Sequence, residues 1–361
     1  MSIGEYHEEE EEEWIEVLED WSQIIIGIVA LIGNGIVILA FARFPKLRKL
    51  DLLWLLAILA LCDSLTAMGT IISEGKGFVP FLWPTEQTVE IHNVTANDSE
   101  TSEMVKVQLK RTMGQCLTLE AIRLMGHMAG QLVTGVVATD RLYAVSYPLA
   151  YQNQNHKMVA VVTVIAVVAL VLVNVAMMLL EVDLQAVPHS CTEWANFSRS
   201  YRVYLTVFNG VVAAWIIGSS VGIILKVRAN ATKVVGSSSG GGATLQQARG
   251  ERVAQRVTAT VGIVIGSYVV LWLCPLLVFS VGVVLHVDPT VTRWLGEVAG
   301  FGSVINAALN VFVYSAMHRQ LREYLWAAMR CRGESAIEEK LQTMARGATL
   351  GPNRQRLHNV P

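Results

Sequence analysis

Seven apolar stretches, each long enough to cross a lipid bilayer, constrain this chain more than any other feature. They occupy about residues 22–41, 52–72, 116–138, 158–180, 204–227, 257–285 and 291–316. A bilayer core is crossed by roughly 20 apolar residues at the 1.5 Å rise of an α-helix. Helix is the expected state because lipid offers nothing to a backbone N–H or C=O, so each segment must satisfy its own. One such stretch could be a buried helix of a soluble protein, but seven in series leave little room for that reading. The 361 residues are 53 % hydrophobic and 16 % charged, with a mean hydropathy of +0.44. A soluble domain carries about a quarter of its residues as charges. The sequence therefore predicts an all-α membrane protein, a seven-transmembrane helix bundle. The third and fifth stretches are the least clean: the third contains Glu120, Arg123 and His127, and the fifth carries several glycines and Asn209.

Charge distribution orients the bundle. Lys and Arg concentrate on the cytoplasmic side of membrane proteins. Here they cluster between spans 1 and 2 (Arg43, Lys46, Arg48, Lys49), after span 5 (Lys226, Arg228, Lys233, Arg249, Arg252, Arg256) and after span 7 (Arg319, Arg322, Arg330, Arg332). The acidic run Glu8 to Glu13 falls opposite, which puts the N-terminus outside the cell and the C-terminus in the cytoplasm. That acidic start lacks the basic region of a cleavable signal peptide, so span 1 is expected to act as the signal anchor. Glycosylation sequons at Asn93, Asn97 and Asn196 all fall in loops assigned to the outside, whereas a fourth at Asn230 falls inside and should be unused. Cys116 opens span 3 on the outer side and Cys191 lies in the outer loop before span 5. An oxidising exterior makes a Cys116–Cys191 disulfide the economical pairing. Cys62 and Cys274 read as small apolar residues within spans. Cys331, inside and just after an amphipathic stretch, is a palmitoylation candidate.

The chain divides accordingly: an acidic extracellular segment (1–21), the bundle (22–316), a short amphipathic cytoplasmic helix (317–331) and a polar tail (332–361) expected to be disordered. A long outer loop spans about 78–113, and an inner loop of about 228–252 carries the flexible run Gly236 to Gly242.

Polar groups inside a membrane are costly and usually functional. Span 1 contains Asn34, span 2 Asp63, and span 3 ends in Asp140-Arg141-Leu142-Tyr143 followed by Pro148. Span 6 contains Trp272-Leu273-Cys274-Pro275, and span 7 contains Asn306 and then Asn310-Val311-Phe312-Val313-Tyr314. Each motif alone is weak. In this order, one per span and at these depths, the set resembles the rhodopsin-like (class A) G-protein-coupled receptors, from about residue 22 to 331. The 25 residues from Cys116 to Arg141 match that family's spacing.

The resemblance implies roles. Asn34, Asp63, Asn306 and Asn310 would form the polar network joining helices 1, 2 and 7. Asp63 would be the family's sodium-site carboxylate, although Gly130 stands where that site usually has Ser. Asp140 and Arg141 would form the ionic latch at the inner end of helix 3, and Tyr314 would swing inward to support the active state. Pro275 removes a backbone hydrogen bond and kinks helix 6, providing its pivot. The partners implied are an extracellular ligand, a heterotrimeric G protein and the bilayer of the plasma membrane.

The departures are substantial. Spans 4, 5 and 7 lack the family's prolines, with Val311 replacing the one in the helix 7 motif, and span 4 has no Trp. The family's switch Trp stands two residues before the helix 6 proline, where this chain has Leu273; Trp272 is one position earlier. The sequence marks a divergent receptor, and peptide or chemosensory receptors of an invertebrate type are among the classes that fit.

Glu120, Arg123 and His127 follow at i+3 and i+4 steps and so share a helix face. An Arg at position 123, where aminergic members carry Asp, argues against a biogenic amine, and span 7 has no Lys for a retinal Schiff base. Arg123 with His127 could read an anionic or carboxylate group; alternatively, Glu120 and Arg123 form an internal pair that settles the helix. Glu74, Arg293 and Glu297, near the outer ends of helices 2 and 7, are secondary candidates for the ligand site; the alternative is that they are solvated rim charges. Two other functions stay open: a seven-helix scaffold or decoy that binds without signalling, and a channel or transporter. No nucleotide-binding loop, metal cluster or nucleophile triad is present in the sequence, which argues against an enzyme or a bound cofactor, and nothing in it suggests nucleic acid.

Overall fold

The computed structural model describes residues 3–49, 51–75, 112–186, 197–237, 262–263, 265–285, 287–317, 319–330 and 337. Within these the chain is helical and without strands. The helices are α1 (Ile3–Arg43), α2 (Asp51–Glu74), α3 (Met113–Ser146), α4 (Pro148–Gln152), α5 (His156–Leu179), α6 (Arg199–Ser237), α7 (Cys274–Val284), α8 (Pro289–Met317) and α9 (Arg319–Met329). A π-helical turn, Val269–Leu273, leads into α7. Cys191, Asn93, Asn97, Asn196 and Cys331 lie outside the described residues.

Among the described residues, six helical segments are long and apolar enough to cross a membrane: Val17–Arg43, Leu53–Glu74, His156–Leu179, Arg199–Ala229, Ile265–Val283 and Thr290–Val313. The chain is a multi-pass membrane protein. The segment missing from that set is α3, as its charges foreshadow. Its polar side chains Glu120, Gln131, Thr134, Asp140 and Arg141 are nevertheless buried, because α3 packs against α2, α5 and α6. The apolar exterior falls to its neighbours. On α5, Val161, Val162, Ile165, Val168 and Leu172 are exposed together, as a lipid-facing helix requires.

Local sequence sets the boundaries. Thr112 and Gln115 close a capping box on α3: the Thr112 hydroxyl accepts from the Gln115 N–H at 3.4 Å, and Gln115 Oε1 accepts from the Thr112 N–H at 3.1 Å. Met113 and Gly114 donate to the carbonyls of Ala186 and Leu184 at 2.7 and 3.0 Å, laying the segment after α5 against the N-terminal end of α3. Glu181 turns the chain after α5 with a φ of 65°. Pro148 begins α4, where its missing N–H has no helical partner to lose, and Asn155 Oδ1 accepts from Met158 N–H at 3.2 Å to cap α5.

Two boundaries differ from the sequence reading. α1 starts at Ile3, so the acidic run continues the helix of span 1. α6 runs to Ser237, well into the expected inner loop, because residues 226–235 contain no Gly or Pro and the helix ends where the Gly/Ser run begins. The absence of internal proline leaves α5, α6 and α8 unbroken. On α9, Leu321, Tyr324, Leu325, Ala327 and Ala328 are buried, with Tyr324 against Phe44, the residue after α1, at 5.1 Å between ring centroids.

Candidate functional site

Functional side chains line α3 at three depths. At the outer level the α2–α3 approach is very close, and glycine permits it. A Cβ on Gly69 would lie 2.3 Å from the backbone N of Arg123, and one on Gly126 would lie 2.4 Å from the N of Thr66. That approach brings Glu74 of α2 to Arg123 at 3.1 Å, while Glu120 holds the other Arg123 nitrogen at 3.0 Å. Ser73 Oγ donates to Glu120 Oε1 at 2.6 Å. The side chains of Arg123, Glu74 and Glu120 are only 12 %, 12 % and 10 % exposed. Glu74 is therefore not a solvated rim charge: it completes a buried triad of two carboxylates and one guanidinium. The Arg293 side chain lies outside the described residues.

One turn deeper, His127 meets Trp272 edge to face, with centroids 5.0 Å apart, and Tyr268 lies 5.2 Å from Trp272. Trp272 is buried although it stands one position from its place in the resembled motif. The π turn supplies the reason. A π turn closes i→i+5 rather than i→i+4 bonds, and here Cys274 N–H reaches Val269 O. The extra residue moves the register by one, and both Trp272 and Leu273 end up buried. Across from it, Gly302 of α8 admits the turn: a Cβ there would lie 1.8 Å from Leu271 O.

Two cavities meet at the His127–Trp272 pair. The outer, about 60 Å³, is bounded by Arg123, Gln131, Asn209 and Leu276 among others. The inner, about 30 Å³, reaches Asp63, Thr66, Thr134 and Asn306. Asp63 accepts from Asn310 Nδ2 at 2.8 Å. Asn34 donates to Ala307 O at 3.1 Å and Ala30 O at 2.9 Å. Thus α1 and α2 each fasten to α8, through Asn34 and through Asp63. Gly130 also lines the inner cavity. Among the described residues no cluster of three or more His, Cys, Asp or Glu could hold a metal ion.

At the inner end of α3, Asp140 and Arg141 are buried and paired, Arg141 Nε lying 3.0 Å from Asp140 Oδ2. Tyr151 of α4 joins them: its hydroxyl accepts from Arg141 and donates to Asp140 Oδ2 at 3.2 Å. Arg141 also lies over the Tyr151 ring, 5.3 Å from its centroid, and His156 packs on that ring at 4.5 Å. Burial pushes the Tyr151 hydroxyl up to about 12, so it remains a donor across the physiological range. The backbone of Tyr314 lies within α8, Pro275 sits in the first turn of α7, and Cys116 is buried near the top of α3.

Sequence reading brought Asp140 to Arg141 and Glu120 to Arg123. It took Glu74 for a rim charge, and it gave no role to Gln131, Asn209, Tyr151 or His156. Only Tyr151 left a usable trace, as an aromatic shortly after Pro148 on the short segment linking two spans.

These features define a polytopic helical membrane protein with a polar axis along its central helix. Residues 91–328 match the family described as serpentine type 7TM GPCR chemoreceptor Srsx, and the chain belongs to that family of G-protein-coupled receptors. A comparison with curated proteins finds no match.

Proposed function

We propose that this protein is a cell-surface receptor of rhodopsin-like build, with α3 added to the six apolar spans to make seven, the N-terminus outside and the C-terminus in the cytoplasm. An extracellular ligand enters the outer cavity; its occupancy biases the His127–Trp272 contact and, through α7 and the Asp63–Asn310 bond, the Asp140–Arg141–Tyr151 latch. Release of Arg141 opens the inner face to a heterotrimeric G protein, with Tyr314 turning inward. A ligand acts in this way only through differential affinity for two states of the bundle. The observation that carries the reading is one helix, α3, lining a cavity at its outer half and holding a buried, tyrosine-bridged Asp-Arg pair at its inner end.

The same reading places a Cys116–Cys191 disulfide and glycans on Asn93, Asn97 and Asn196 outside, and a palmitoyl group on Cys331 inside. An anionic ligand read by Arg123 is the weaker variant, because Glu74 and Glu120 already hold the guanidinium. Arg123→Ala at normal surface expression tests it: unchanged ligand potency discards an anion site. The receptor reading itself is tested by nucleotide exchange on purified G protein with the purified chain. No exchange in the presence of a bound ligand, across the Gα classes, leaves a scaffold or decoy. A ligand-gated current without G protein would favour a channel.

A further inference from the structure

Resting on that reading, we infer that the outer cavity takes a compact, uncharged molecule with one hydrogen-bonding head, recognised by the amides of Gln131 and Asn209. Both residues border the cavity, and they are only 3 % and 2 % exposed. The carbonyl oxygens Gln131 Oε1 and Asn209 Oδ1 have no hydrogen-bond partner in the protein. Buried polar atoms are ordinarily bonded. Two amide oxygens left without a protein partner beside one cavity are therefore matched to a donor on a bound group. An amide oxygen only accepts, so a hydroxyl or a primary amide suits it.

The rest of the lining sets the remainder of the ligand. Leu124, Met128, Leu205 and Leu276 border the same space and call for an apolar body. The volume of about 60 Å³ is well under the roughly 150 Å³ cavity that takes a benzene ring, so the body has few heavy atoms. Charge is disfavoured on both signs. The nearest cation, Arg123, is engaged by Glu74 and Glu120, and those carboxylates are engaged in turn by Arg123 and Ser73. An ion entering an apolar cavity without a counter-charge gives up its hydration uncompensated.

The test uses the full-length protein, purified in detergent, with thermal unfolding as the readout. 1-Butanol and butanamide are compared with 2-butanone, which cannot donate, and with butanoate and butylammonium. The two neutral donors should raise the melting temperature with saturation, and the ketone and the ions should not. Gln131→Met and Asn209→Leu should each weaken the two neutral donors roughly tenfold, the effect of one lost hydrogen bond in a buried site. Each should also leave the ligand-free protein as stable as before or more so, since an unsatisfied buried group is removed. Stabilisation by the ketone or the ions, by none of the five, or by the two neutral donors undiminished in both variants overturns the inference. Should both variants fail to fold, the comparison of the five compounds on the unaltered protein still decides. Because no G protein enters this assay, its outcome is separable from nucleotide exchange, which tests the receptor reading.

Discussion

Tyr151→Phe isolates the latch. The substitution removes one hydroxyl that accepts from Arg141 and donates to Asp140, and keeps the ring that lies against Arg141 and His156. Hydrogen bonds to charged groups contribute about 1.5–3 kcal/mol each. Asp140 and Arg141 also bind one another directly and would partly close on themselves, so the low end of that range applies, about 1.5 kcal/mol for the pair of contacts. If the latch belongs to the resting state alone, that amount shifts the resting-to-active equilibrium about tenfold. Basal nucleotide exchange on G protein should rise by up to that factor, at matched receptor density and without ligand. Melting of the purified protein should fall only slightly, because the ring packing stays. A basal rate equal to or below that of the unaltered protein, at normal surface expression, would refute the assignment of this contact to the resting state.

Basal exchange should also be flat from pH 6 to 9 as far as Tyr151 is concerned: burial raises its hydroxyl to about 12, so its contribution is intact below the usual value near 10 and fades only as pH climbs through 12. Gly302→Ala should destabilise the purified protein by about 1–3 kcal/mol, since the new methyl meets Leu271 O at 1.8 Å, whereas Gly266→Ala, with nothing within 4 Å, should not; equal melting temperatures for the two would count against the packed π turn. Arg123→Leu should cost about 3–5 kcal/mol by stranding two carboxylates and Glu74→Gln distinctly less, with differential scanning fluorimetry reading the order; a reversed order would show that the triad is not a buried ion cluster.

The sequence exposed those parts of the fold that depend on local composition. Six of the apolar stretches reappear as helices of spanning length, and the Asp140–Arg141 pair was visible because the two residues are adjacent. What escaped it depends on how helices meet. Glu74 looked like a rim charge because nothing local announces that Gly69 and Gly126 bring α2 onto α3. Trp272 looked displaced because a π turn is fixed by tertiary contact, here against Gly302, rather than by propensity. Gln131 reads as an ordinary polar residue of span 3 and Asn209 as one of span 5; their meaning comes from a cavity formed between helices. Tyr151 reaches Asp140 only because the chain folds back after Pro148 into a single short helix.

The two glycine contacts between α2 and α3 also determine which parts of this machine can turn. Backbones that would meet an added methyl at 2.3 and 2.4 Å, and that are cross-linked above by Glu74 and Arg123, cannot slide past one another without unpacking. α2 and α3 are thereby held as one unit, beside which the π turn and α7 pack along α8, closest at Gly302. Under the proposed receptor reading, a change beside α3 reaches the other end of the bundle through the helices packed on this pair rather than by a piston stroke of α3 itself.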